Sequence, residues 1–340
     1  MELNIEDFNY DLPKALIAQY PEKDREASRL LVFDREDETI AHRSFRDITQ
    51  YLNKGDVLVL NDSKVLPARL RARKATGGAV DILLVERIND TRWLCLAKGI
   101  KAGSREQKVS VGPIEAQLTK SEDYWVVDFH NDNDVFDIMR HYGKMPLPPY
   151  IKRSDGNGTI DDERYQTVYA EMSGSIAAPT AGFHFSEGLL EAIKRMGVQV
   201  VKITLHIGVG TFFLIKKRNV QDHHMHGEYY HITPDAKMFI RKAKDEGHRI
   251  IACGTSVVRT LETIYSENGK PLAGKTDLFV YPGYRFKMVD AMITNFHLPR
   301  STPLLLVSAF AGLDRIRKCY KEAMERSYRF YSYGDAMLIL

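Results

Sequence analysis

Between Val65 and Phe129 the chain breaks into short β-prone runs: "ARLRARK", "AVDILLVERI", "RWLCLAKGI", "QKVSV", "IEAQLTK" and "YWVVDFH". Glycine, Asn-Asp and Ser-Glu-Asp turns part them. Runs this short satisfy their backbone groups only by pairing with neighbouring strands. Many of them in succession predict a small antiparallel barrel or sandwich. "NDNDVFDIMRHYG" then returns to helix, and the three prolines of "MPLPPYIKR" stiffen the boundary that follows.

On either side the texture differs. "SRLLVFD" and "GDVLVLND" read as strands, and Pro13 starts a helix over "KALIAQY". After Ile151, helix and strand alternate. "SEGLLEAIKRM" has Ser186 as N-cap and Gly197 just past its end. "VKITLHIGVG" puts Val201, Ile203, Leu205, Ile207 and Val209 on one face of a strand. "HRIIACGTSVVRTLETIY" reads strand, Gly254 turn, helix, with Thr255 and Ser256 as caps; "TDLFVYPGYRF", "DAMITNFHL" and "PLLLVSAFAG" supply further strand or buried helix. The expected fold is an α/β main domain of mixed α+β layers, residues 1–60 and 152–340. A small antiparallel β-barrel, residues 61–151, is inserted into it.

Totals exclude several classes. Of 340 residues, 44% are hydrophobic and 27% charged, as in ordinary globular proteins. The longest apolar runs, such as Leu304 to Phe310, are too short to span a membrane. The opening residues resemble no secretory leader, so the expectation is cytoplasmic. Cys95, Cys253 and Cys319 are scattered, which argues against disulfides and a cysteine zinc site. The net charge of +3 is compatible with an anionic partner without requiring one. No coiled-coil heptad appears, which favours a monomer without an obligate protein partner.

Three glycine-bearing loops stand where α/β sheets gather their functional groups. "AAPTAGFHF" offers Thr180, Gly182 and His184 ahead of a helix start that favours an anion. "HIGVGTF" offers His206, Gly208 and Gly210, but matches neither a dinucleotide fingerprint nor a Walker loop. "CGTSVVRT" offers Thr255 and Arg259. Each alone is equally a turn or a cap; three together suggest a shared pocket. "DHHMHGEYYH" crowds His223, His224, His226, Glu228 and His231, whose spacing matches no familiar metal motif and also suits proton transfer or phosphate contact. "TNFHLPR" sets Asn295, His297 and Arg300 in a polar island, a site or a satisfied turn, and "TDLFVYPGYRF" gives Asp277, Tyr281, Tyr284 and Arg285. On a strand, Arg69, Arg71 and Arg73 share one face, as a row of phosphate contacts or a charge-defended edge.

Taken with "YDLPKALIAQYP", "REASRLLV", "GDVLVLNDSKVLPARL", "MPLPPYI", "ERYQTVYA", "GTSVVRTLE", "MITNFHLP" and "SYGDAM", these segments resemble one family in order along the chain. It is the S-adenosylmethionine:tRNA ribosyltransferase-isomerase family of queuosine biosynthesis. Phe183 and Phe213-Leu214 differ in kind from what the family leads one to expect. The resemblance implies a tRNA carrying 7-aminomethyl-7-deazaguanine at the wobble position as one substrate. S-adenosylmethionine is the other, as ribosyl donor, and the products are epoxyqueuosine in tRNA, adenine and methionine. No metal and no cofactor beyond S-adenosylmethionine is expected. The rivals are an S-adenosylmethionine-dependent tRNA methyltransferase, a non-catalytic tRNA-binding protein and a metallohydrolase.

Within that reading His184, His206, His226 and His297 are candidate bases or acids, with Glu228 as carboxylate partner. Arg164, Arg259 and Arg285 are candidates for a carboxylate or phosphate grip. Asp277 would meet the donor's amino group, and Tyr281 or Tyr284 its adenine or sulfonium. Tyr165, Thr180, Gly182, Gly208, Gly210, Thr255 and Asn295 complete the expected substrate site. Arg69, Arg71, Arg73, His223 and His224 are the expected tRNA contacts.

Overall fold

A computed structural model describes residues 3–130, 134–153, 158–212, 214–266 and 269–340. Asn131 to Asn133 of the expected helical stretch, and Phe213, lie outside the described residues. The chain forms two compact units. One comprises Met1–Lys64, Pro149–Lys152 and Arg164–Leu340; the other comprises Val65–Pro148 with Arg153–Glu163.

The larger unit is built on a nine-stranded sheet. Its spatial order is Ala273–Thr276, Glu228–His231, Gln199–Leu205, Val57–Asn61, Ile250–Cys253, Ala291–Asn295, Ala336–Ile339, Arg29–Phe33 and Ile40–Ser44. The four strands from Gln199–Leu205 to Ala291–Asn295 are mutually parallel; Ala336–Ile339 and Arg29–Phe33 run against them. Parallel strands need cover on both faces, and the sequence provides it. Leu31, Phe33, Val57, Val59 and Ile203 enter one core with the helices Pro234–Asp245, Thr255–Ile264, Thr302–Ala311 and Leu313–Glu325. Their strand neighbours Leu30, Val32, Leu58 and Leu60 enter a second, under the helix Glu187–Arg195. Ser186 caps that helix, accepting from the Leu189 N–H, and Gly197 beyond it takes φ +84°.

The smaller unit is a closed antiparallel barrel. Arg69–Arg73, Ala79–Arg87, Arg92–Lys98, Tyr124–Asp128, Ile114–Ser121 and Glu106–Val111 pair in turn, and Arg73 pairs with Ser110 to close it. Leu70, Ala72, Val80, Ile82, Leu84, Leu118 and Val127 fill its interior.

Three expected elements are different in kind. "KALIAQY" yields only a 3-10 turn, Lys14–Leu16. The strand Gln199–Leu205 stops before Ile207 and Val209. Leu278 to Phe286 form no regular element, since the strand in that region is Ala273–Thr276. "PLLLVSAFAG" resolves as a helix, Thr302–Ala311, apolar all round because it is buried. No helix among the described residues is long and apolar enough to cross a membrane.

Candidate active site

The parallel strands end together at Leu205, Asn61, Cys253 and Asn295. At the same edge begin the two opposed strands, because Ala336 pairs with Asn295 and with Leu30. The loops leaving this edge line an open cleft. It is a carboxyl-edge crevice of the kind in which open α/β sheets bind ligands. Its walls include Ala177 to Ala181, Ile207, Glu228, Gly254 to Ser256, Arg259, Thr294 to Leu298, Ser301 to Pro303, and the tyrosines 150, 165 and 331.

Two helices start on the cleft. Thr255–Ile264 begins after Gly254 at φ +94°, so the glycine and not Thr255 is its cap; Thr302–Ala311 begins after Ser301. Both present the positive end of a helix dipole. Arg259, one turn into the first helix, is buried and ion-paired through Nη1 with the Glu228 carboxylate. Its Nε donates to the Leu278 carbonyl at 2.9 Å and Nη2 to the Thr276 carbonyl at 3.1 Å. The other Glu228 oxygen accepts from the Gly208 N–H at 2.8 Å. Pair and loop are therefore fixed in place.

Asn295, also on the cleft, is a hydrogen-bonding hub. Its Oδ1 accepts from the Thr180 hydroxyl at 3.0 Å, and its amide reaches the Tyr331 carbonyl and His184 Nε2, each at 3.3 Å. His184 Nδ1 lies 2.7 Å from Ser28 Oγ, whose own proton goes to the Arg25 carbonyl. These constraints place the imidazole proton on Nδ1. Burial, aided by the Arg329 and Arg25 charges, pushes His184 down to about 3. It stands behind the cleft wall, a neutral ring with both nitrogens engaged.

His297 does line the cleft. Its Nε2 lies 2.7 Å from Thr294 Oγ1, its N–H donates to Tyr320, and its carbonyl accepts from Tyr10. Burial pushes it down to about 3. It is the only one of the four expected histidines on the cleft wall.

The remaining expected residues are placed as follows. His206, partly buried and lowered by burial, keeps Nδ1 without a hydrogen-bond partner. His226 and His224 are exposed, and His223 packs edge-on against Phe279 at 5.1 Å. Among the described residues no three His, Cys, Asp or Glu group so as to hold a metal. Gly182 does not line the cleft; a methyl there would come within 2.0 Å of the Tyr169 hydroxyl, so the close approach it permits is an internal one. At Gly208 and Gly210 a methyl would meet only ordinary contacts, with Glu228 and His226. Asp277 and Arg285 are exposed, and Tyr281 packs on Phe279. The Tyr284 hydroxyl donates to Glu262, whose carboxylate also gathers the N–H groups of Lys287, Met288 and Val289. Arg164 lies off the cleft, donating to the carbonyls of Glu22 and Lys23. Phe183 packs against Tyr165 and Tyr333, and Phe185 edge-on against Phe45. In the barrel, Arg69, Arg71 and Arg73 share the exposed face, and Arg69 forks onto Asp81 at 2.7 and 2.9 Å.

Ser28, Arg25, Tyr150 and Tyr331 escaped residue-level reading. Their strings carry no turn or charge anomaly; Tyr331, at φ +73°, is a left-handed non-glycine that side-chain pattern does not reveal.

Comparison with known proteins places this architecture. Residues 5–339 match the family model described as "Queuosine biosynthesis protein". A Symbiobacterium thermophilum protein named S-adenosylmethionine:tRNA ribosyltransferase-isomerase is 48% identical, over 99% of this chain and 100% of its own. One of the same name from Thermotoga maritima is 47% identical over the same shares. A crystal structure titled S-adenosylmethionine tRNA ribosyltransferase, from Thermotoga maritima, aligns with a TM-score of 0.57 and 38% identity, covering 98% of this chain and 100% of that one. A full-length match at such identity makes this chain a member of the S-adenosylmethionine:tRNA ribosyltransferase-isomerase family.

Proposed function

We propose that the protein transfers and isomerises the ribosyl group of S-adenosylmethionine onto 7-aminomethyl-7-deazaguanine at the tRNA wobble position. Epoxyqueuosine-tRNA, adenine and methionine are the products. The observation that carries this reading is the match across residues 5–339, which leaves none of the quoted motifs outside it.

The cleft supplies groups for each part of the donor. The helix starts at Thr255 and Thr302 favour the methionine carboxylate. Tyr150, Tyr165 and Tyr331 offer aromatic faces to the adenine or the sulfonium. A sulfonium acidifies the adjacent C5′–H, and removal of that proton lets the ribose open with loss of adenine. The aminomethyl nitrogen then attacks, the ring recloses as an epoxycyclopentane, and methionine leaves. We assign His297 as the proton acceptor because, of the four candidate histidines, it is the one that borders the cleft. The Glu228–Arg259 ion pair lines the same cleft. Asn295 and Thr180 are further polar contacts in it.

Incubation with modified tRNA and S-adenosylmethionine, followed by chromatography, tests the reaction. Free adenine is the expected product; S-adenosylhomocysteine instead would mark a methyltransferase. His297→Gln is expected to slow single-turnover adenine release by about 10²–10⁴-fold. A rate within threefold of the parent's removes His297 from the chemistry.

The target base must leave its stack, which requires a grip on the surrounding phosphates. We infer that the exposed barrel row Arg69, Arg71 and Arg73, or the loop bearing His223 and His224, grips the anticodon arm. Arg73→Gln is expected to lower the slope of log affinity for tRNA against log salt by about one. An unchanged slope would take Arg73 out of the interface.

A further inference from the structure

We propose that Thr180 accepts a hydrogen bond from the α-ammonium of the donor's methionine part, held to that role by a buried chain of hydrogen bonds behind the cleft wall. The choice of S-adenosylmethionine as the ligand rests on the function proposed above. A threonine hydroxyl by itself donates or accepts with equal ease. Its partners in this fold leave it one of the two.

The order of donors and acceptors is decided at Tyr331. Its carbonyl can only accept, so the Asn295 group 3.3 Å away is the amide nitrogen, which carries two hydrogens. The second of these serves His184 Nε2, also at 3.3 Å, which is therefore the bare ring nitrogen. The imidazole proton then sits on Nδ1 and is donated to Ser28 Oγ at 2.7 Å, while Ser28 donates its own to the Arg25 carbonyl at 3.1 Å. Asn295, oriented in this way, turns Oδ1 to Thr180, and the hydroxyl donates to it at 3.0 Å. That uses the single hydroxyl proton of Thr180. Towards the cleft, which Thr180 borders, its oxygen has lone pairs alone to offer. Ser28, His184 and Asn295 are buried, so solvent does not reshuffle the chain. Tyr331, which sets it, is held at φ +73°, a left-handed conformation that disfavours any residue bearing a side chain.

An acceptor with no proton of its own selects a donor. S-adenosylmethionine carries a charged one, the α-ammonium, on the same carbon as its carboxylate. The helix start after Gly254 suits that carboxylate, and Ala181, next to Thr180, faces this glycine. A methyl built on Gly254 would stand 3.6 Å from the Ala181 methyl. The two places are thus close enough for two groups on one carbon. Glu228, the only carboxylate in the cleft wall among the described residues, has one oxygen on Arg259 and the other on the Gly208 N–H. Asp277, expected from the sequence to meet the amino group, does not line the cleft.

Equilibrium binding of two ligands to the full chain without tRNA tests this. One is S-adenosylmethionine; the other is its analogue with hydrogen in place of the α-ammonium. Thr180→Val keeps the shape and removes the oxygen. It is expected to weaken S-adenosylmethionine binding by about ten- to a hundredfold, and analogue binding by less than about twofold. Thr180→Ser, which keeps the hydroxyl, should bind both as the parent does. A displaced wall would harm both ligands alike, so equal losses in Thr180→Val overturn the assignment. Parent-like affinity of Thr180→Val for S-adenosylmethionine overturns it too, as does a parent that binds the two ligands equally well. A parent that binds S-adenosylmethionine and releases no adenine in the complete reaction sinks the proposed activity and leaves the subsite standing.

Discussion

Arg259→Met is expected to cost the fold about 3–5 kcal/mol and to abolish adenine release. Both members of the Glu228–Arg259 pair have side chains less than a tenth exposed, so the remaining carboxylate cannot be rehydrated without opening the wall. Removing the arginine leaves Glu228 with the Gly208 N–H as its remaining named donor and frees the carbonyls of Thr276 and Leu278. The damage therefore spans three segments: the strand Glu228–His231, the loop at Gly208 and the turn after Thr276. Glu228→Gln in the same chain should restore more than half of the lost stability, because most of the cost is an uncompensated charge and not a missing attraction. Adenine release should stay absent in the double variant, whose cleft wall has no charge. Urea unfolding at pH 7.5 and a single-turnover assay read the two effects separately. A loss below 1 kcal/mol in Arg259→Met would show that the pair is hydrated and carries little of the wall.

Local pattern and long-range geometry were not equally readable in the sequence. In Arg69–Arg73 the alternation of exposed arginine and buried Leu70 and Ala72 follows from period two alone, and closure of the barrel follows from many such runs without a helix between them. The α/β layer was readable for the same reason, from Ser186 and Gly197 bracketing a helix and from strands ending in glycine. Failures came where tertiary contacts override local preference. Ile207 and Val209 continue the alternation of Gln199–Leu205, yet the strand ends at Leu205, and the Ile207 N–H is taken by Ser175 Oγ at 2.7 Å. Leu278 to Phe286 look like a strand, but Glu262 gathers the N–H groups of Lys287 to Val289 and Arg259 takes the Leu278 carbonyl.

The site divides in the same way. Thr180, Thr255, Arg259, Glu228, Asn295 and His297 line the cleft because each sits at a strand end, on a loop leaving one or in the first turns of the helix that follows, where chain pattern gives position. The pairings that decide their chemistry link residues far apart in sequence. Nothing local tells Glu228 that Arg259 will neutralise it, or His184 that Ser28 and Asn295 will occupy both its nitrogens. Four histidines of equal standing in the sequence thus become one on the cleft wall, one behind it, one partly buried with an unpartnered nitrogen, and one exposed.

The buried pair His184 and His297 should make the protein acid-labile well above the range in which carboxylates titrate. Each is held near 3 in the folded chain, by burial alone at His297 and by burial with two arginines at His184, against about 6.5 when unfolded. Between those values the unfolded state binds protons that the folded state excludes, so folding stability rises with pH. The contribution is complete above about pH 6.5, falls as the pH drops, and is exhausted near pH 3. Each histidine contributes up to about 1.4 kcal/mol per pH unit, on the order of 5 kcal/mol over the interval. Together they rival the total stability of an ordinary domain. Asp62 and Asp335, raised by burial, act with the opposite sign, since the folded chain keeps their protons above the ordinary carboxylate value. Urea midpoints at pH 7.5, 6.0 and 5.0 should therefore fall steeply, with an apparent uptake approaching two protons at the lowest pH. His184→Gln retains an amide for Ser28 and Asn295 but cannot titrate, so its slope between pH 6 and 5 should be shallower by about one proton. A parent slope below half a proton in that interval would mean that the two rings are hydrated and that the wall behind the cleft is looser than its hydrogen bonds imply.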